Sequence, residues 1–499
     1  MKKIYLTILA LCGSFSFAQE LTSQDALRYA IDDMNGTARF RGMSGAFGAL
    51  GGDLSSIAIN PAGSLFFNNN FASFSGTNFN NRANSNYFGT KSKDNFSTLD
   101  LNQLGVVFIF NDTREESKWR KLSFALNYEN TNNFDSSVFS AGVNPNNTIG
   151  QYFLNFAQGV PLNVLDNGNY GNLGFNAQQA FLGYQAYLFD PVDDSDPGNT
   201  AYISNVPAGG NYYQEYFHTT NGFNGKVTAN FASAYKDKIF LGMNLNVHFT
   251  DYVKNSTVYE RNNNSPDLGV QEIAFNNQIY TYGRGFSFNL GAIAKVTEEF
   301  RVGLAYESPT WYRLNDELSQ SISAYSTDGP DDFFDRFNPN VLNIYPTYRL
   351  QTPGKWTGSA AYIFGNKGLI SADIASKDYS TTKFNPSNEP LYRNLNNQMN
   401  QELGNAIELR IGGEYRIKQA SLRAGYRFEQ SPYENSNYIS DLTGFSLGAG
   451  YNFGESRVDL SFANSQRYFN QSLISSGMND TARIKNTNNN ITVTYSINF

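Results

Sequence analysis

The chain has 499 residues, of which 40% are hydrophobic, 15% aromatic and only 16% charged, and its formal net charge is −7. A weakly charged, acidic chain offers no basic surface to nucleic acid, so we expect no nucleic-acid partner. Cys12 is the only cysteine. A mature chain without it would have no disulfide, no zinc-thiolate site and no catalytic thiol.

The first predicted element is a cleaved signal peptide over residues 1–18. Lys2 and Lys3 precede an apolar run that ends at Cys12, and a small-residue stretch then ends at Ala18. This order is typical of an export signal, and the run is shorter than the roughly 20 residues that a spanning helix needs. Leu11 precedes the cysteine where a lipoprotein signal has a small residue. We therefore predict export without lipidation.

Residues 19–70 are predicted to form a plug. They show a short helical pattern near Asp25, then closely spaced glycines that break any long element, and then the motif Asn60, Pro61, Ala62 and Gly63. A segment of small side chains before the first strand can fold up into a barrel. Without a plug, a wide barrel would enclose an aqueous channel.

Residues 71–499 are predicted to form an all-β, 14-stranded antiparallel transmembrane β-barrel in the outer membrane. In the last segment Ile491, Val493, Tyr495, Ile497 and Phe499 share one face, and polar residues occupy the other. Such period-two alternation places one set on lipid and the other in the lumen. The number of candidate strands is even, as it is in single-chain bacterial barrels. The predicted segments are 71–81, 102–111, 121–132, 222–235, 238–254, 282–296, 299–310, 355–365, 367–381, 405–418, 419–431, 442–454, 456–469 and 487–499.

Short and long connections alternate between these segments, as they do in barrels with short periplasmic turns and long external loops. The long links are 82–101, 133–221, 255–281, 311–354, 382–404, 432–441 and 470–486. This parity leaves Phe499 at the periplasmic rim, as the terminus of the strand that closes the barrel. A soluble all-β protein is the alternative, but it does not account for aromatic residues near the turns. We assign Phe428, Tyr451, Phe453, Tyr468, Phe469 and Phe499 to interfacial girdles.

The inward-facing set carries charges in the second half of the chain. Two interpretations are open: an ion-pair network that makes the wall rigid, or arginines that attract a ligand carboxylate, because guanidinium groups suit both. The candidate arginines are Arg410, Arg416, Arg423, Arg427 and Arg457, and the acidic residues on the same faces are Glu408, Glu414, Glu429 and Asp459.

The stretch from Met43 to Gly63 resembles the N-terminal hatch of the FadL-type family of outer-membrane transporters, which carries an Asn-Pro-Ala motif matched by Asn60, Pro61 and Ala62. The segment from Val302 to Thr310 resembles a strand-loop segment of that family that ends in Ser-Pro. The resemblance implies a fourteen-stranded barrel plugged by its hatch. It also implies passive uptake of hydrophobic compounds such as long-chain fatty acids, which bind in the lumen and leave sideways after the hatch moves. The Asn- and Tyr-rich composition is nearer to that of Bacteroidota surface proteins.

Loops 133–221 and 311–354 are the predicted capture region, unless their hydrophobic side chains only pack on each other. These side chains are Phe153, Leu154, Phe156, Phe181, Leu182, Tyr184, Phe333 and Phe334. Two alternative functions stay open: a FadL-like barrel that acts as a shuttle or scaffold of a type IX secretion system, and a general porin or adhesin. Steady diffusion would be blocked by a plug, which argues against the porin.

We expect no enzyme activity, cofactor or metal site. The two histidines, His218 and His248, have no triad spacing and are too few for a metal centre. The expected partners are outer-membrane lipid, a hydrophobic small molecule and the barrel-assembly machinery. We expect the barrel to be a monomer.

Overall fold

The computed structural model describes residues 21–114, 116–265, 268–435, 438–474, 478 and 480–499. The predicted signal peptide lies outside the described residues. Among those residues, no helix has the length and apolar character that crossing a membrane requires.

Strands dominate the chain after residue 70. They are β1 (Phe71–Tyr87), β2 (Thr90–Asn111), β3 (Trp119–Asn133), β4 (Ser136–Asn144), β5 (Phe189–Pro191), β6 (Tyr202–Ser204), β7 (Tyr212–Tyr235), β8 (Ile239–Asn262), β9 (Gly269–Lys295), β10 (Phe300–Glu307), β11 (Trp311–Asp328), β12 (Asp331–Phe337), β13 (Asn343–Ile344), β14 (Tyr348–Gln351), β15 (Lys355–Ile363), β16 (Gly368–Asp378), β17 (Lys383–Asn385), β18 (Asn405–Ile417), β19 (Ala420–Glu429), β20 (Leu442–Asn452), β21 (Ser456–Ser472) and β22 (Thr481–Asn498).

These strands form a closed, fourteen-stranded antiparallel wall. Two wall positions are each divided by a short break, between β10 and β11 and between β14 and β15. The remaining wall strands are β1, β2, β3, β7, β8, β9, β16, β18, β19, β20, β21 and β22. β22 pairs with β1 from Phe71↔Asn498 upward, and the Phe499 amide donates to the Asn70 carbonyl at 3.0 Å. Closure leaves no strand edge unpaired along this seam.

The alternation expected of a barrel is present along the terminal strand. Val493 and Tyr495 expose 50% and 51% of their surface, whereas Thr492 and Thr494 are buried inside. Turns at one rim are tight: Lys236 and Asp237 both have positive φ, as a two-residue hairpin turn requires. The prediction of a membrane barrel is confirmed.

Helices occur before the barrel and in the external loops. They are α1 (Ser23–Ala30), α2 (Ala38–Arg41), α3 (Ser56–Ile59), α4 (Ile149–Ala157), α5 (Leu162–Asn167), α6 (Phe175–Gln185) and α7 (Pro390–Glu402), with 3-10 turns at Pro61–Phe66, Tyr170–Asn172 and Tyr379–Thr381. Helix α1 begins at a capping box in which Thr22 and Asp25 bond each other's backbone amides. We call Ser23–Phe66 the hatch, because most of it is buried within the barrel.

Four links predicted as loops are largely strand, so that part of the prediction was wrong. Link 311–354 contains β11 to β14, and β11 is paired with β9 along most of its length. Link 82–101 is the paired upper part of β1 and β2, which turn at Phe88 and Gly89. Links 255–281 and 470–486 are likewise shortened by the extensions of β8, β9, β21 and β22. Most outward side chains of these extensions are polar, with Leu99 and Leu101 on β2 as exceptions, so the apolar alternation that identified the other strands is missing.

The girdle assignment of Phe469 was also wrong. Tyr451 and Phe453 are exposed on the outer face, but Phe469 packs against the core cluster of the external loops. Phe469 is an even number of residues from Arg457, so it belongs to the inward set of β21.

Candidate lumen site and hatch

The motif Asn60-Pro61 fastens the hatch to the wall. The Asn60 side chain donates to the carbonyls of Gly48, at 2.8 Å, and Ala292, at 3.1 Å. The Pro61 carbonyl accepts from the Asn230 side chain at 2.9 Å. The Asn60 side chain thus joins the hatch to β9, and the Asn230 side chain of β7 bonds the first carbonyl of the 3-10 turn.

Glycines on adjacent wall strands make room for this contact. A Cβ atom at Gly291 would come 2.1 Å from Asn60 Oδ1, and one at Gly242 would come 2.4 Å from the Pro61 carbonyl carbon. Gly242 and Gly291 are directly opposite each other in the β8–β9 ladder. A side chain at either position would force the hatch away from the wall.

A second attachment is an ion-pair cluster around the buried Glu414. Its carboxylate pairs with Arg39 of the hatch at 3.0 Å, Arg416 at 2.7 Å and Arg423 at 2.7 Å, and Arg457 lies 3.8 Å away. Asp459 supplies a second carboxylate, 2.9 Å from both Arg423 and Arg457. Every guanidinium in this cluster has an acidic partner, so ion pairs connect the hatch to the wall at this point.

The wall opens between β2 and β3, and the hatch fills the opening. The β2–β3 ladder extends only from Asn111 up to Gln103. Above it each strand has backbone pairing only with its other neighbour, and the Asn133 side chain of β3 donates to Asp100 of β2 at 2.6 Å. In this opening the Asn102 side chain donates to the Gly36 carbonyl at 2.7 Å, and the Asp33 amide donates to the Thr131 carbonyl at 3.1 Å. Polar groups at the separated strands are thus satisfied by hatch residues rather than left facing lipid.

A cavity of about 420 Å³ lies in the lumen on the external side of the hatch. This volume is within the usual range for a small-molecule site. Its apolar lining comes from both hatch and wall and includes Leu27, Ile31, Met34, Phe79, Phe134, Tyr252, Leu442 and Phe469. Four arginines also line it: Arg28, Arg41, Arg427 and Arg467.

Arg41 differs from the other three arginines of the cavity. Arg28 pairs with a neighbouring aspartate, and both Arg427 and Arg467 pair with Glu429. Arg41 is 1% exposed and bonds only the Asn35 side-chain oxygen, at 2.9 Å; among the described residues it has no carboxylate within ion-pair distance, and its Nε has no hydrogen-bond partner.

Electrostatics in the cavity follow from this burial. Burial lowers the pKa of Arg41 to about 10, so the guanidinium is still charged at neutral pH. Burial inside the barrel also raises the pKa of Asp33, which faces the same cavity. The cavity therefore combines an apolar wall with a guanidinium that has no carboxylate of the described residues within ion-pair distance, which suits an amphipathic anion.

The comparisons with known proteins agree with this architecture. The sequence model of the family described as outer membrane protein transport protein (OMPP1/FadL/TodX) matches residues 204–499, more than half of the chain. This chain belongs to that family.

Solved structures with the same fold include family proteins of two bacteria. A FadL homologue from Pseudomonas aeruginosa is 12% identical, with 94% of this chain and 100% of that chain covered and a TM-score of 0.57. The toluene transporter TodX from Pseudomonas putida is 14% identical, with 94% and 100% covered and a TM-score of 0.51. A curated relative, probable polyketide synthase 38 from Dictyostelium discoideum, is 24% identical over 37% of this chain, which spans only 5% of that protein. A match over so small a part of that protein does not indicate its enzymatic activity in this chain.

As a member of the OMPP1/FadL/TodX family, the chain is an outer-membrane transport barrel. The relationship to Bacteroidota surface proteins that the composition suggests stays a prediction.

The five arginines predicted from the sequence all lie on inward faces, but they are not together. Arg416, Arg423 and Arg457 belong to the Glu414 cluster, and Arg410 pairs with Glu408. Only Arg427 lines the cavity. A ligand-binding role for any of the five stays a prediction.

Sequence reasoning missed Arg41 and Arg467. Arg467 is eight residues from Asp459, an even number, so both lie on the inward face of β21 and the alternation predicts the direction of the Arg467 side chain. Arg41 is in the irregular hatch, where no period predicts the direction of a side chain.

The loop hydrophobic residues divide into two groups. Phe153, Leu182 and Phe181 are buried in a cluster within the external loops, whereas Phe333 and Phe334 on β12 are 50% and 68% exposed. The first group packs on its own loop, which favours the packing interpretation for those residues. Phe333 and Phe334 remain candidates for capture.

The histidines have structural contacts. His248 bonds the Ser287 hydroxyl at 2.9 Å and lies 3.4 Å from the Tyr312 hydroxyl, and His218 is buried on β7. No group of three or more metal-ligating side chains occurs in the part of the chain that the structure describes.

Proposed function

We propose that this barrel takes up hydrophobic compounds that carry an acidic head group, long-chain fatty acids in particular. The observation that carries the proposal is the lumen cavity, in which apolar side chains surround the unpaired guanidinium of Arg41. The acyl chain would occupy the apolar lining, at about 0.8 kcal/mol for each methylene removed from water, and the carboxylate would pair with Arg41.

We further propose that the ligand leaves through the opening between β2 and β3 when hatch residues 31–36 move aside. Leu99, Leu101 and Leu104 are exposed on β2 beside this opening, so an acyl chain that emerges there would meet an apolar surface. A sideways exit also avoids a water column below the hatch.

Ligand class is tested with the purified barrel and labelled palmitate, hexadecanol and toluene. We expect palmitate to bind more tightly than its alcohol, and a deletion strain to lose uptake of labelled palmitate. Toluene, which the name of the Pseudomonas putida relative suggests, has no charged group for Arg41 and should bind weakly. Unchanged palmitate uptake in the deletion strain, together with an empty lumen in native mass spectrometry, would disprove the proposal. Co-purified protein cargo would favour the secretion alternative.

Hatch movement is tested by a disulfide between Asp33→Cys and Thr131→Cys. The backbone hydrogen bond between these residues brings their chains within disulfide range. We expect the oxidised variant to bind palmitate but not to take it up, and dithiothreitol to restore uptake. Each single cysteine variant is the matched control. Equal uptake by the oxidised and reduced double variant would show that residues 31–36 need not move.

A further inference from the structure

Three arginines form a row on the outer face of the barrel. Arg313 of β11 is directly opposite Arg284 of β9 on one side and Arg349 of β14 on the other. All three are exposed, while their neighbours Tyr312 and Tyr348 point into the lumen and are buried. Directly opposed residues have their Cβ atoms only about 5 Å apart, so three positive charges lie side by side.

No side chain in the described part of the chain forms an ion pair with this row. Within the described ranges, none of the three guanidiniums has a carboxylate within ion-pair distance or a side-chain hydrogen bond. The nearest acidic residue of the surrounding groove, Asp251, accepts a hydrogen bond from the Tyr280 hydroxyl at 2.9 Å instead. Like charges directly opposite in a sheet are destabilising, so an external anion would stabilise the row.

The row lies at the external edge of the lipid-facing band. On β8 this band begins at Ile239, continues through Val247 and ends at Phe249, which is opposite Arg284. The ten steps from residue 239 to residue 249, at about 3.3 Å each in a strand tilted by about 40°, cover roughly 25 Å, the usual height of the apolar band. Arg284 is therefore at the level of the outer-leaflet head groups.

Two exposed tryptophans on neighbouring strands support placing the arginine row at the membrane interface. Trp311, two residues below Arg313, is 44% exposed, and Trp356 on β15 is 55% exposed next to Tyr306. Exposed tryptophans of a membrane protein concentrate at the interface. At the same height on the other side of Phe249, the wall carries Tyr128 rather than a charge.

A groove of about 990 Å³ surrounds the arginine row. Its other lining residues are polar or aromatic, among them Tyr282, Asn315, Thr347 and Asn385. Hydroxyl and amide groups around three guanidiniums provide many donors for the oxygens of a phosphate.

We infer that this groove binds the phosphorylated head group of an outer-leaflet lipid. The site faces the membrane, not the lumen, so it is separate from the ligand cavity. Guanidinium groups bind phosphate oxygens in pairs, and the acyl chains of the lipid would lie against Phe286 and Trp311 below the row. Bound lipid would fix the outer rim of β9, β11 and β14 in the membrane.

The experiment uses the full barrel in dodecyl maltoside, a detergent without phosphate, and native mass spectrometry. Bisphosphorylated lipid A is titrated into the native protein and into the triple variant Arg284→Gln, Arg313→Gln, Arg349→Gln. We expect the triple variant to need at least a tenfold higher concentration for half-occupancy. Heat-modifiable migration on gels checks folding, and Arg313→Gln alone, at the centre of the row, replaces the triple variant if that one does not fold.

A charge-matched control removes three positive charges far from the membrane edge. Arg82, Lys91 and Lys93 are exposed on the external hairpin of β1 and β2, and their replacement by glutamine should leave lipid A binding unchanged. Dephosphorylated lipid A should bind the native barrel as weakly as the intact lipid binds the triple variant. Equal binding by native and triple-variant barrels, or by the two forms of lipid A, would overturn the inference. Binding of inorganic phosphate as tight as that of lipid A would overturn the assignment to a lipid.

Discussion

Arg41 is the residue on which ligand choice depends. A buried charge without a carboxylate partner is costly to the empty barrel, and a ligand carboxylate would remove that cost. The other arginines of the cavity already have acidic partners, so they gain less from an anion. At the residue scale, the preference for an acid over an alcohol is therefore assigned to a single guanidinium.

Replacing Arg41 by methionine leaves an unbranched apolar side chain, shorter than arginine, and removes the charge. A hydrogen bond to a charged group contributes about 1.5–3 kcal/mol, so we expect affinity for palmitate to fall by roughly 10- to 100-fold. Affinity for hexadecanol should stay the same, as measured by calorimetric titration in detergent. If both ligands lose affinity equally, Arg41 only maintains the shape of the cavity.

Asp53 makes the hatch sensitive to pH. Burial raises the pKa of its carboxyl group, which accepts bonds from the Thr37 hydroxyl at 2.8 Å and the Ser55 amide at 2.9 Å. A raised folded-state pKa gives stability that is complete below the unfolded value, about 3.9, and is lost as the pH rises through the folded value.

We therefore expect the urea midpoint of unfolding to decrease as the pH rises from about 4 through the raised pKa of Asp53. The variant Asp53→Asn should lose part of that decrease, because asparagine stays neutral. Unfolding of the vesicle-inserted barrel at several pH values measures the effect. An identical pH profile for Asp53→Asn and the native protein would refute the assignment.

At the scale of elements, the hatch is held by two kinds of contact. Hydrogen bonds from asparagine side chains to backbone carbonyls attach the Asn60-Pro61 turn to β7 and β9, and Glu414 of β18 attaches helix α2 through Arg39. The first contact depends on glycines that allow close approach, and the second depends on charge. The two contacts can therefore be weakened independently.

Replacing Glu414 by glutamine would leave Arg39 and Arg423 without their shared carboxylate. Breaking a buried ion pair by removing one partner costs about 3–5 kcal/mol, so we expect a clear decrease in the urea midpoint and faster proteolysis of the hatch. Glu455→Gln, in an exposed turn, is the matched control. A Glu414→Gln barrel as stable as this control would mean that Asp459 alone can hold the cluster.

For the whole molecule, closure is the decisive event. β22 pairs with β21 on one side and with β1 on the other, so the last strand completes the ring. Deleting Ile491–Phe499 would leave polar edges facing lipid, at several kcal/mol for each unsatisfied group. We expect no heat-modifiable barrel to assemble from the truncated protein. A truncated barrel that still inserts would show that another strand can close the wall.

The sequence alone determined the class of fold, the number of wall strands and the direction of their side chains, because a wall between lipid and lumen imposes a period of two on each strand. That period placed Arg423 and Arg427 inside correctly. It did not identify the strand extensions beyond the apolar band, where most outward side chains of β1 and β2 are polar.

Only the tertiary structure decided which inward charges have partners. Arg410 and Arg41 are equally basic in sequence, but one meets Glu408 and the other meets no carboxylate among the described residues, because partners come from strands and hatch turns far apart in the chain. The same holds for Arg284, Arg313 and Arg349, which are brought into one row by strand register alone. The final strand that ends at Phe499 could be recognised from its own residues; its closure on β1 is a property of the whole ring.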